Sequence, residues 1–356
     1  MSVLTQKLQT LMEQGQGTAG RSLDRLPKFV QESLVKLFAY PYQYPALDSF
    51  TKCLMAAQLK QGKAGFIGMD VIQSRKIFED QVQVITHKST TVKQVEDIRL
   101  ALHSGSIFAR HYHPAPDKKL PMIVFYHGGG FVVGSVNTHD EACRLLAVHA
   151  QAQVLSIEYP LAPEASPQQL IQSCEDALAW VYQNRKSFKI LKDRIAIAGD
   201  SAGGNICAVL AQRTAKTAYA PHAQLLIYPA LDFKRRHPSY YAYKEGLVLT
   251  ANDIDHVTDF YATQHQVELD DPLISPIYGN LKKLAPAYVL TAGHDILHDE
   301  GKIYATLMKQ QGTKVKYLDF PDQTHGFINL TLLSRKSKKY LIQISKDFRK
   351  FWDKMS

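Results

Sequence analysis

Residues 195–211 read IAIAGDSAGGNICAVLA. The first four are apolar, as a buried strand requires, and Ile206, Ala208, Val209, Leu210 and Ala211 continue as an apolar helix. Between them stands Gly199-Asp200-Ser201-Ala202-Gly203, a G-x-S-x-G pentapeptide. A strand that becomes a helix within so few residues drives the middle side chain out of the sheet, and the crowded backbone needs glycine on either side. Ser201 also falls at a helix N-terminus, where the helix dipole favours developing negative charge. The pentapeptide alone would equally fit a glycine-rich turn with a serine N-cap. The strand before it and the helix after it favour an exposed nucleophile.

Upstream, the apolar run Met122–Tyr126 leads into His127-Gly128-Gly129-Gly130-Phe131. Hydrolysis of an acyl compound passes through a tetrahedral oxyanion, which needs backbone N–H donors held ready. A glycine run exposes such donors, so Gly128, Gly129 and Gly130 are candidates, together with the N–H of Ala202. His127, Phe131 and Asp200 flank these groups and join the substrate-binding candidates, His127 chiefly as a hydrogen-bonder shaping the loop. Downstream, the strand-like run Ala287–Ala292 precedes GHDILHDE (293–300), and Lys314–Phe320 precedes PDQTHGF (321–327). An acid and then a histidine thus follow successive strands. If the strands are parallel, Ser201, Asp295 and His325 meet at one sheet edge as nucleophile, orienting acid and general base. Asp299 and Asp322 are competing acids. His294 and His298 could also be taken, with Asp295 and Asp299, for metal ligands, but an i, i+4 pair needs a helix and His294 sits beside a strand end. No metal is expected.

From about residue 120, strand candidates (Met122–His127, Gln153–Tyr159, Arg194–Gly199, Ala223–Tyr228, Ala287–Ala292, Lys314–Phe320) alternate with helix candidates (His139–Ala150, Pro167–Asn184, Ser201–Thr214, Glu300–Gln311, Arg335–Trp352). Such alternation predicts an α/β fold with a mostly parallel sheet flanked by helices. Two regions break it. Residues 1–50 suggest two amphipathic helices, one around Leu4, Leu8, Leu11 and Met12, the other around Phe29, Leu34, Val35 and Phe38. Residues 233–266 are too long for an ordinary connection and include a helix-like run from Ala251 to Gln264. Both would fit peripheral packing, but a lid over the strand ends, where open α/β sheets bind ligands, is the favoured reading, on one catalytic domain, 51–356.

The 356 residues carry 42 Lys and Arg against 33 Asp and Glu, a formal net charge of +9. Much of the excess lies in Arg335–Lys350, where Tyr340, Leu341, Ile344, Phe348 and Phe351 recur at helical spacing, so a surface helix with a solvated basic face is expected. No recognition motif accompanies the charge, and nucleic-acid binding is not expected. The first residues lack the apolar core of a signal peptide, and no stretch of about 18 apolar residues could span a membrane. Cys53, Cys143, Cys174 and Cys207 are scattered and read as reduced, buried thiols. A cytoplasmic location without membrane association is expected.

HGGGF (127–131), EYPLAPE (158–164), GDSAGG (199–204), YPALD (228–232), AGHDILHDEG (292–301) and HGF (325–327) resemble the hormone-sensitive-lipase-like family of bacterial esterases and lipases. The resemblance covers roughly residues 90–330. It implies an α/β-hydrolase fold with a helical cap, and oxyanion donors at Gly129, Gly130 and Ala202. It also implies hydrolysis of short- to medium-chain esters through an acyl-enzyme, with a small-molecule ester as partner and no cofactor. Members often dimerise through a sheet edge, which makes a homodimer the assembly to look for. The chain departs from the family pattern at Pro160, His294, Ile296 and His298. Amidase, deacetylase or lactonase activity would use the same machinery, whereas receptors of this fold that bind ligand without turnover have lost the triad.

Overall fold

The runs Met122–Tyr126 and Ile195–Gly199 lie side by side and parallel, Met122 opposite Ile195 and Tyr126 opposite Gly199, in a computed structural model that describes residues 17–60, 65–83 and 89–355. They belong to β3 (Leu120–Tyr126) and β5 (Ile190–Asp200). Around them β4 (Gln153–Ile157), β6 (Ala223–Ile227), β7 (Ala287–His294) and β8 (Val315–Thr324) join in parallel. The helices between are α5 (Asp140–Ala150), α6 (Pro167–Gln183), α7 (Ala202–Arg213) and α10 (His298–Gln310), and α11 (Arg335–Asp353) follows β8. The chain thus has the expected α/β-hydrolase fold.

The sheet has eight strands in the order β1-β2-β4-β3-β5-β6-β7-β8. Its first two, β1 (Gln94–Leu102) and β2 (Gly105–His113), form an antiparallel hairpin on one edge that the alternation after residue 120 did not reveal. Side chains alternate between faces along each strand. Val124, Ile197 and Val289 share one core with Leu170, Ile206 and Tyr304 of α6, α7 and α10. Ile123, Leu225 and Tyr288 share the other with Leu146 of α5 and Phe348 and Trp352 of α11. Each fully buried aromatic or Leu contributes about 1.5–3 kcal/mol relative to exposure, which anchors both helical layers.

Helix α11 buries Leu341, Ile344, Phe348 and Phe351 of the apolar face expected, leaves Tyr340 half-buried, and buries Trp352 as well. Its cationic face is less free than expected: Arg335 pairs with Asp24, Lys336 with Asp48 and Asp322, and Lys338 with Glu141. These pairs fasten the N-terminal segment and α5 to the end of the chain.

Of the two N-terminal helices expected, the one around Leu4–Met12 lies outside the described residues. The other is α2 (Lys28–Leu37), preceded by the helical stretch α1 (17–25) and followed by α3 (Ser49–Lys60) and α4 (Val71–Gln83). Between α2 and α3 runs a strap of three tyrosines at alternate positions. The Tyr40 hydroxyl donates to the Gly246 carbonyl at 2.5 Å, that of Tyr44 to the Glu245 carbonyl at 2.8 Å, and that of Tyr42 to the Glu245 carboxylate at 3.3 Å. Glu245 and Gly246 lie between α8 (Pro238–Tyr243) and α9 (Ala251–Tyr261). The backbone N–H groups of Phe66 and Ile67 donate to Asp253 of α9 at 2.8 and 2.9 Å. The N-terminal segment and the 233–266 region therefore pack on each other.

Candidate active site

Ser201 caps α7 with φ 54° and ψ −118°, a conformation that non-glycine residues rarely adopt. Its N–H donates to the Ile227 carbonyl at 2.9 Å, which holds the turn against β6. The flanking glycines are there for space. A Cβ on Gly203 would overlap the Tyr126 carbonyl oxygen, and one on Gly199 would overlap that of Gly203. The turn runs so close to β3 that only bare backbone fits.

β7 ends at His294 and β8 at Thr324, so Asp295 and His325 emerge at the same sheet edge as Ser201. Asp295 Oδ2 lies 2.7 Å from His325 Nδ1, and His325 Nε2 lies 2.9 Å from Ser201 Oγ. The other Asp295 oxygen accepts the Leu297 N–H at 2.9 Å. All three side chains are buried. An ionised Asp295 accepts the Nδ1–H proton, which leaves Nε2 as the acceptor facing Ser201. The competing acids are engaged elsewhere: Asp299 accepts the Ser239 N–H, and Asp322 pairs with Lys336.

The glycine loop faces this array, with two differences from expectation. The Gly128 N–H is not free for an oxyanion, because it donates to Asp200 Oδ1 at 2.9 Å. Among the described residues, no acceptor is paired with the N–H of Gly129, Gly130 or Ala202. His127 and Asp200 do not line the cavity in front of Ser201, whereas Phe131 does. His127 stacks on Tyr159 with ring centroids 4.3 Å apart, and its Nδ1–H donates to the Gly128 carbonyl at 2.9 Å. Burial, aided by the nearby His139, lowers its pKa to about 3, so it is neutral. Asp200 is buried too, which works against its charge. His139, with Nε2 at 3.2 Å, and the Gly128 N–H outweigh that and hold its pKa below the ordinary carboxylate range. Phe131 lines the cavity at φ 64° and stacks on Tyr261 at 3.8 Å.

A family model described as the α/β-hydrolase fold matches residues 123–329. The chain belongs to the hormone-sensitive-lipase-like family of α/β-hydrolases. It is 40% identical over 243 residues to the carboxylic ester hydrolase LipN of Mycobacterium tuberculosis, across 66% of this chain. The match spans 65% of that relative, just under two thirds of its length. To Lipase 2 of a Moraxella species it is 33% identical over 87% of this chain and 83% of the relative. Among solved structures, the hyperthermophilic esterase of the archaeon Pyrobaculum calidifontis superposes with a TM-score of 0.76 at 36% identity, covering 80% of this chain and 94% of the esterase. This family member is a carboxylic ester hydrolase.

The hydrolase's cavity in front of Ser201 holds about 610 Å³ of empty space, part of it open to solvent. Its walls include Phe66, Phe131, Phe233, Leu249, Val257 and Leu297, drawn from the N-terminal segment, the glycine loop, the 233–266 region and the turn after Asp295. Several participants were not singled out from sequence. Glu300 and Asp232 lie inside motif blocks, AGHDILHDEG and YPALD, that offered a signal. His139, Arg235 and Arg236 carried none. Two departures from the family pattern also find partners in this hydrolase. His298 sits between Asp299, 3.0 Å from Nδ1, and Asp319, 3.4 Å from Nε2, whose contacts raise its pKa. His294 packs against the rings of Tyr44 and Tyr243. Among the described residues, no group of three or more His, Cys, Asp or Glu is arranged to hold a metal ion.

Proposed function

We propose that the chain cleaves short- to medium-chain carboxylic esters through an acyl-enzyme, with Ser201 as nucleophile, His325 as general base and Asp295 as its orienting partner. The observation that carries this reading is the continuous hydrogen-bond chain Asp295–His325–Ser201, ending at a mainly apolar cavity.

Ester binding brings the carbonyl carbon over Ser201 Oγ. His325 Nε2 takes the hydroxyl proton as Oγ attacks, and Asp295 stabilises the imidazolium. The N–H groups of Gly129, Gly130 and Ala202 receive the oxyanion. Gly128 serves as the anchor of that loop through Asp200. His325 then returns the proton to the leaving alcohol. Water, activated by the same histidine, hydrolyses the acyl-enzyme. The 233–266 region and the N-terminal segment act as a cap that closes the acyl and alcohol pockets. The packing of Tyr40, Tyr42 and Tyr44 on Glu245 and Gly246 supports that division. A cytoplasmic location belongs to the same reading and is supported by four buried, unpaired cysteines.

The test is hydrolysis of p-nitrophenyl esters from acetate to palmitate by wild type and Ser201→Ala. The expected result is a chain-length optimum in the wild type and a loss on the order of 10⁴-fold or more in the variant. Equal rates in the two proteins would overturn the assignment.

A further inference from the structure

The charged residues that line the cavity are not equally committed to partners. Two are acids, Asp232 and Glu300, and two are arginines, Arg235 and Arg236, beside His237. Asp232 is fully committed. Its Oδ1 accepts the N–H groups of Lys234 and Arg235 and the Tyr278 hydroxyl, and its Oδ2 lies 3.0 Å from His237 Nε2. Glu300 is buried, accepts the Leu231 N–H at 2.5 Å, and has its pKa pushed well above the ordinary carboxyl value by burial. Burial and this backbone bond leave it committed to the wall.

The arginines are less committed. Arg236 lies 3.5 Å from Asp255, whose side chain is 66% exposed, so the pair is screened by solvent and open to a competing anion. Its guanidinium sits over the Tyr240 ring at 4.9 Å. Arg235 is exposed at the rim, lies over the Tyr278 ring at 6.0 Å, and has no carboxylate partner among the described residues. The cavity thus joins a nucleophile, apolar walls and a positively charged rim. Guanidinium groups match a carboxylate bidentately, and ring stacking leaves their N–H edges free to do so.

We infer that the preferred ester carries a carboxylate remote from its scissile carbonyl, received by Arg235 and Arg236 at the cavity rim. The inference rests on Ser201 acting as the ester nucleophile and adds the substrate class to that reading. The carboxylate can belong to either half of the ester: a hemiester of a dicarboxylic acid, or an ester of a hydroxy acid.

The experiment compares matched pairs. In the acyl arm, p-nitrophenyl hemiesters from succinate to adipate are set against neutral branched acyl esters of the same shape. In the alcohol arm, butyrate esters of ω-hydroxy acids are set against butyrate esters of neutral alcohols of equal length. The quantity read is the ratio of kcat/KM, anionic over neutral, in wild type and in the Arg235→Gln/Arg236→Gln double variant. The expected wild-type ratio is about tenfold or more in one arm, expressed mainly in KM, diminished by salt and reduced to one or below in the double variant. The arm that responds identifies the half carrying the charge. A wild-type ratio of one or below in both arms, with the neutral esters turned over, overturns the inference and leaves the esterase reading standing. A ratio that survives the double variant also overturns it. Absence of turnover of every ester removes the esterase reading and this inference together.

Discussion

Gly128 and Asp200 are joined by a single hydrogen bond of 2.9 Å that ties the glycine loop to the residue beside Ser201. The two halves of the proposed oxyanion site come from different strand ends, β3 and β5. This bond sets their spacing, and the buried His139 on the far side of Asp200 keeps the carboxylate charged.

Asp200→Ala should therefore damage both stability and rate. Removing one partner of a buried pair costs about 3–5 kcal/mol, and the released loop should lower kcat by up to about 100–1000-fold, the range of one lost oxyanion donor. Asp200→Asn, which keeps an acceptor for Gly128, should lose less of each. Urea unfolding and kcat on a single ester would check both, and an Asp200→Ala enzyme with wild-type kcat would contradict the role.

Asp295→Asn should leave the fold intact and lower kcat by about 10⁴-fold, because an amide no longer selects the His325 tautomer with Nε2 free to accept. KM should change little. Steady-state kinetics beside a thermal melt separate this outcome from misfolding.

Gly203→Ala should prevent the turn from closing. The added Cβ would meet the carbonyl oxygens of Tyr126 and His127, both backbone atoms that cannot swing aside. Gly68→Ala is the matched control, since its Cβ would meet only Ser74 Oγ at 3.8 Å. The first should yield little folded protein, and the second should stay within about 0.5 kcal/mol of wild type. Comparable melting temperatures for the two would refute the packing argument.

His298 should make stability depend on pH. Asp319 chiefly, with Asp299, raises its pKa when folded, while both acids have theirs lowered by the contact despite burial. A raised histidine contributes its full stabilisation below its ordinary pKa of about 6.5 and loses it as pH rises through the folded value. The acids contribute above their ordinary range and lose that stabilisation as pH falls through their folded values. Unfolding free energy should thus fall on the alkaline side of about pH 6.5, and His298→Gln should flatten that limb. An unchanged slope in the variant would assign it to other groups.

The parallel core was legible because its signals are local. IAIAGDSAGG states strand, turn and helix within a few residues, and the ends of β7 and β8 follow from short apolar runs. The hairpin β1–β2 was missed because Gln94–Leu102 faces solvent at several positions, so charges interrupt its apolar pattern. Gly128 was grouped with Gly129 and Gly130 because a glycine run looks uniform. Only the approach of Asp200 distinguishes the first from the other two. The rim charges were illegible for a similar reason. Whether Arg235 is free depends on where Asp232 turns, and Asp232 is claimed by His237 and Tyr278.

The tyrosine strap has a consequence for how the molecule comes into being. Tyr40 leaves the ribosome 206 residues ahead of Gly246, its acceptor. At roughly 5–20 residues per second, it waits on the order of 10–40 seconds before its partner is synthesised. Throughout that interval the strap's three hydroxyls have none of their native acceptors to close against. Closure of the strap is thus a long-range event that waits for the 233–266 region but not for β7 and β8, which are synthesised later still.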